Sequence, residues 1–154
     1  MESNISLNSL VSTSDNIYKP LYFVLYLYYR HLTFKTGIQI PIGTRICGGL
    51  KIHHFSSIVI NKNAIIGEDC TIFNNTTIGA ILGTKGGNPI IEDRVVVCTG
   101  AKIIGKITIG HDSIIGANAV VNKSMEANSV IVGIPAKSYS NKGKDHVKLY
   151  LQHN

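Results

Sequence analysis

An isoleucine or valine returns every sixth residue through most of this chain. It stands at Ile60, Ile66, Ile72 and Ile78, and again at Ile91, Val97, Ile103, Ile109, Ile115 and Val121. Helices repeat near 3.6 residues and ordinary strands near two, so a sustained six belongs to a stacked repeat. Its unit is a short strand followed by a corner. One large apolar side chain per hexad points inward, and three hexads close one triangular coil. Four places after the anchors stand small or modest residues: Ala64, Cys70, Thr76, Val95, Ala101, Ser113 and Ala119. A narrow prism accepts one large side chain per edge only if its second inward position stays small. Gly67, Gly79, Gly110 and Gly116 directly follow anchors, where a close backbone approach or a special corner conformation is cheap. The sequence therefore predicts an all-β fold, a parallel β-helix of hexapeptide repeats.

The chain divides around that ladder. Residues 1–37 hold a polar arm, Met1–Asn16, and one aromatic helix over Tyr18–Lys35, with Pro20 in its first turn and Gly37 past its end. Residues 38–137 carry the repeats, which begin near Ile40 and run Ile40, Ile46, Ile52, Ile58 before slipping by two residues to Ile60. The slip follows His53-His54 and predicts a distorted corner there. A second break, between Ile78 and Ile91, covers thirteen residues where two hexads take twelve. Its segment Ala80–Pro89, with three glycines and a closing proline, reads as a protruding loop. Residues 138–154 form a polar, basic tail to which the sequence gives no role.

Stacked coils bury their anchors in one column, so a chain of 154 residues can build a full core. A formal charge of +6 draws anions: a phosphorylated cofactor, an acidic glycan or an anionic membrane surface. Nucleic acid is disfavoured, because no basic stripe interleaves with aromatics in the repeats. Cys47, Cys70 and Cys98 are scattered and form no CxxC pair, as expected of a reducing compartment. Met1–Asn16 lacks the basic start of a secretory leader, which points to a cytoplasmic protein. The apolar run Leu21–Tyr29 is shorter than the roughly 20 residues that cross a bilayer. Its tyrosines, beside Lys19 and Arg30, suit either packing on protein or peripheral contact at the inner face of a membrane.

Three histidines fall in the repeats: His53, His54 and His111. An adjacent pair beside a phase slip is the candidate proton acceptor, since a neutral imidazole takes a proton from a hydroxyl near neutral pH. Spacing alone does not say which of the two faces a cleft. Cys98 has no histidine close in sequence to activate it, and His111 has no second histidine nearby to complete a metal set, so neither a thiol nor a metal centre is expected.

Ile52-His53-His54-Phe55-Ser56-Ser57-Ile58-Val59-Ile60 resembles the catalytic coil of serine acetyltransferases. Thr77-Ile78-Gly79-Ala80, Gly100–Gly105, Ile115–Val121 and Gly133-Ile134-Pro135-Ala136 follow that family's order and spacing. The resemblance, to left-handed hexapeptide-repeat acyltransferases, covers about Gln39–Lys137. It implies a left-handed β-helix and a homotrimer with acetyl-CoA in a groove between neighbouring prisms. It also implies His54 as catalytic base and backbone contacts to the pantetheine arm at Ala80, Thr99 and Ala117. Lys123 and Lys137 would lie near the cofactor's phosphates.

The chain departs from the family where the acceptor is held. The aspartate behind the catalytic histidine is replaced by Gln39, and the one preceding it by His53. The loop's arginine-histidine pair is replaced by Gly87 and Asn88. Without counter-charges for a zwitterion, the expected acceptor is a hydroxyl of a sugar or polysaccharide. Serine O-acetylation, sugar N-acetylation and a non-catalytic binding module are the alternatives. No metal is expected in any of these readings.

Overall fold

The structure, a computed structural model, describes residues 18–83 and 86–152. The arm expected over Met1–Asn16, two residues of the 80–89 loop and the last two of the tail lie outside the described residues. Two compact units meet between Lys35 and Thr36. The first contains most of helix α1 (Tyr18–Thr36), which Gly37 ends at φ 69°. A left-handed residue just past a helix is the place for glycine. α1 has no buried residue and holds Lys19, Arg30 and Lys35 with no acid. Among the described residues, no helix is long and apolar enough to cross a membrane.

The second unit is the predicted β-helix. Its strands are β1 (Ile38–Gln39), β2 (Arg45–Ile46), β3 (Lys51–His53), β4 (Ile58–Ile60), β5 (Ile65–Ile66), β6 (Thr71–Phe73) and β7 (Thr77–Gly79). They continue with β8 (Ile90–Ile91), β9 (Val96–Val97), β10 (Lys102–Ile104), β11 (Thr108–Ile109), β12 (Ile114–Ile115), β13 (Val120–Val121), β14 (Val130–Gly133) and β15 (Ala136–Ser140). Three parallel sheets form the faces: β1-β4-β7-β10-β13, β2-β5-β8-β11, and β3-β6-β9-β12-β14, the last extended by antiparallel β15. Through β13, consecutive strands pass to the next face, so one coil consumes three strands.

The sixfold ladder becomes three stacks inside the prism. Ile60, Ile78, Ile103 and Val121 line the first face in register; Ile66, Ile91 and Ile109 line the second. Ile72, Val97, Ile115 and Ile131 line the third. All are essentially buried, and so are Ala64, Cys70, Thr76, Val95, Ala101, Ser113 and Ala119 between them. Each buried isoleucine contributes about 1.5–3 kcal/mol of transfer free energy, gained by coil-to-coil contact rather than in a single globule. Gly67, Gly110 and Gly116 meet the next coil so closely that a Cβ would collide with it; at Gly79 a Cβ would make only ordinary contact with Thr77.

Two expectations change. Ile78 and Ile91 are neighbouring anchors on adjacent faces, because β7 leads directly to β8. The thirteen residues between them are therefore one hexad plus a looped-out insertion, not two hexads. The tail also has structure. β15 turns back on β14, and Gly143–Gln152 forms helix α2. Asn128 fixes its start, with Oδ1 accepting from Lys144 N at 2.8 Å and Nδ2 donating to Asn141 O at 2.6 Å. Gly143 sits where a Cβ would lie 2.6 Å from Asp112 O. From there Val147 is buried with Val96 and Ile114 on the outer surface of the third sheet.

Candidate active site

The corner between the third and first faces holds the candidate residues His53 and His54. Three coils turn it in six residues from anchor to anchor: Ile72 to Ile78, Val97 to Ile103, Ile115 to Val121. The first described coil takes eight, from Ile52 to Ile60, and the surplus falls at His54–Ser57, as the slip predicted. Each coil places one left-handed residue at this corner: Ser57 at φ 50°, Asn75 at 57°, Gly100 at 76° and Asn118 at 57°. His54, at φ 55°, is an additional one that the other coils lack. A left-handed histidine is uncommon and costs on the order of 1 kcal/mol, so the surrounding structure must hold it.

His53 ends β3, half-buried, in register with Phe73 of β6. The two rings stack with centroids 5.1 Å apart and planes 20° apart. His54 is exposed, its ring 6.1 Å from Phe73 and 6.5 Å from His53. Tyr150 of α2 meets Phe73 edge-on at 5.9 Å. Among the described residues no hydrogen bond reaches either imidazole, so the ring nitrogens are held by packing alone. Phe73 and Tyr150 were not singled out by the sequence. Phe73 was legible as an aromatic one place after an anchor, but its partner comes from the far end of the chain.

The remaining candidates are distributed as follows. Thr99 and Ala117 lie on the same corner as His54, exposed, in successive coils. Thr99 Oγ1 donates to Asn74 Oδ1 at 2.8 Å, and Asn118 N donates to Thr99 O at 2.9 Å. With coils about 4.8 Å apart, Ala117 stands roughly 14 Å along the edge from His54, a row suited to a long extended ligand. Lys102 lies on the adjoining face and donates to Asn75 O. Ala80 follows β7 at the root of the loop, where Ile81 and Gly87 pair across it at 3.0 and 3.2 Å. Asn88 is half-buried before the buried Pro89. Gly87 has no room for a Cβ: one would lie 2.7 Å from Lys106 Cβ, so the lysine stem crosses the loop root there. Gln39 is exposed on β1, opposite Val59, with no hydrogen bond to His54. Lys123, after β13, and Lys137, on β15, are both exposed.

Two other groups complete the set. His111 sits at the corner between the second and third faces, with Nδ1 2.8 Å from Asp112 Oδ2. Arg94 grips the same carboxylate at 2.8 and 2.9 Å and, with His111, holds it well below the usual carboxylate range. Burial pushes the Cys98 thiol up, and a hydrogen bond with Tyr150 only partly opposes this. A thiol kept protonated is a poor nucleophile.

No family model matches the chain. A serine acetyltransferase of Helicobacter pylori is 41% identical over 121 residues, covering 78% of this chain and 71% of that protein. The chain belongs to the serine acetyltransferase family. The Mycobacterium tuberculosis serine acetyltransferase is 42% identical over 104 residues, 66% of this chain and 45% of its own length. A Neisseria gonorrhoeae serine acetyltransferase structure superposes with a TM-score of 0.70 at 29% identity, covering 80% of this chain and 49% of its own. A serine acetyltransferase solved in complex with CoA gives 0.66 at 30% identity, covering 75% and 48%. The chain thus spans about half the length of several serine acetyltransferases it matches. These relatives back the serine alternative; none supports the sugar or polysaccharide acceptor expected from the missing charges.

Proposed function

We propose that this chain is an acetyl-CoA-dependent O-acetyltransferase with L-serine as acceptor and His54 as general base. The single observation that carries the reading is the eight-residue corner, which presents an unbonded imidazole beside the row Asn74, Thr99 and Ala117. Acetyl-CoA lies along that row, its pantetheine arm against the backbone at Ala80, Thr99 and Ala117, and Lys123 and Lys137 near its phosphates. His54 takes the hydroxyl proton as the oxygen attacks the thioester carbonyl. The tetrahedral intermediate, held by backbone N–H groups, collapses with loss of the CoA thiolate, which receives the proton back from the imidazolium. The acetyl group passes directly, without an acyl-enzyme. The groove is completed by a neighbouring prism in a homotrimer.

The serine reading also needs a cation for the acceptor carboxylate, a role assigned here to Lys106. Its stem crosses Gly87, the position where the family's arginine is missing. A second reading, an acceptor without a carboxylate, is favoured by the loss of acidic partners at Gln39 and His53. The deciding assay follows CoA thiol release from acetyl-CoA with L-serine, a sugar panel and a buffer blank. Serine-dependent release with an alkali-labile product supports the reading. Release with sugars alone transfers it to the second, and release of an amide product indicates N-acetylation.

A further inference from the structure

We propose that the C-terminal helix α2 belongs to the catalytic apparatus, with Tyr150 and Phe73 acting as positioning residues for the His53–His54 pair. The inference rests on the assignment of His54 as base. A general base must be held in one orientation, because small misplacements of reacting groups carry large rate costs. Elsewhere that restraint comes from a hydrogen bond to the second ring nitrogen; among the described residues neither imidazole here has one. What restrains them is aromatic. His53 stacks on Phe73 at 5.1 Å, His54 leans on the same ring at 6.1 Å, and Tyr150 closes the far side of Phe73 edge-on at 5.9 Å. Edge-to-face and offset-stacked pairs at these separations are favourable and directional.

Tyr150 is itself held at two points. One turn earlier, Val147 is buried against Val96 and Ile114. The phenol also lies beside the Cys98 thiol, which together with burial holds the phenol's proton more tightly. The helix start is pinned by Asn128, so its register on the sheet is set from the corner below. A chain of contacts therefore runs from the tail to the imidazoles. Cys98 adjoins Thr99, so the same helix touches the corner where the cofactor row is proposed.

The test compares Tyr150→Leu, Tyr150→Phe and Phe73→Leu with the parent full-length protein, by acetyl-transfer kinetics and by the histidine ring resonances in NMR spectra. Tyr150→Leu should lower kcat about tenfold with little change in the acetyl-CoA KM, while Tyr150→Phe, which keeps the edge contact, should restore it. In Phe73→Leu the ring protons of His53 should shift as the stacked ring's current is lost. Parent-like kcat in Tyr150→Leu, or equal impairment in Tyr150→Phe, overturns the proposal. Histidine resonances unmoved in Phe73→Leu overturn it even if the parent transfers no acetyl group. Absence of transfer with resonances that do move removes the assignment of His54 and leaves the aromatic restraint standing.

Discussion

His54 combines three properties that seldom coincide: an exposed ring, a left-handed backbone and no hydrogen-bonding partner among the described residues. Replacing it by alanine should lower kcat by roughly 10²–10⁴-fold while calorimetry shows CoA binding nearly unchanged, since a general base contributes to the transition state. Lys106→Ala should instead raise the serine KM, with kcat less affected, if the lysine holds the carboxylate in ground and transition states alike. Asp112 makes a prediction about stability. Arg94 depresses its folded-state pKa, so its contribution is present above the ordinary carboxylate value near 4 and drains away as pH falls below it. Asp112→Asn should lower the urea midpoint at pH 7 by an amount equivalent to about 1 kcal/mol, as befits a pair whose arginine is 41% exposed, and the deficit should shrink below pH 4. The histidine pair was legible because its hexad breaks the alternation of isoleucine and small residues. The clasp of Phe73 and Tyr150 was not, because a packing contact between distant residues leaves no mark on local spacing.

The corners decide what the elements can do. Gly100 sits at φ 76°, where a Cβ would run into Asn118 Oδ1, so Gly100→Ala should cost about 1–3 kcal/mol by chemical denaturation. Inside the prism, Ile103 is fully buried, and Ile103→Ala should cost about 2–5 kcal/mol. The corner at His54 tolerates more, because its surplus residues are outside the core: Phe55 is 71% exposed. Deleting Phe55-Ser56 should restore the six-residue turn, keep the β-sheet circular dichroism and abolish acetyl transfer. Period six and the two-residue slip were readable because inward positions accept so few side chains. The loop's true length was not, since a repeat count cannot say how many residues leave the prism before the next anchor. The tail hid helix α2 because only Gly143 and Val147 of its first eight residues are buried, too little apolar surface to signal a helix.

At the level of the whole molecule, a solenoid has outer faces but no enclosed pocket of its own, so a site on its edge gains walls only from loops, an added helix or another copy. In the proposed enzyme, α2 is one of these and the proposed trimer another. The fold followed from the repeat and the family from motifs such as Ile52–Ile60 and Gly133–Ala136, whereas the acceptor depends on a few exposed side chains whose charges differ from the resembling family. The most direct test is to follow thiol release from acetyl-CoA in the presence of L-serine, for the parent protein and His54→Ala side by side, with CoA affinity measured on both. Rapid release by the parent, a loss of at least a hundredfold in the variant and matching affinities are expected. Equal turnover by the two proteins would contradict His54 as the general base.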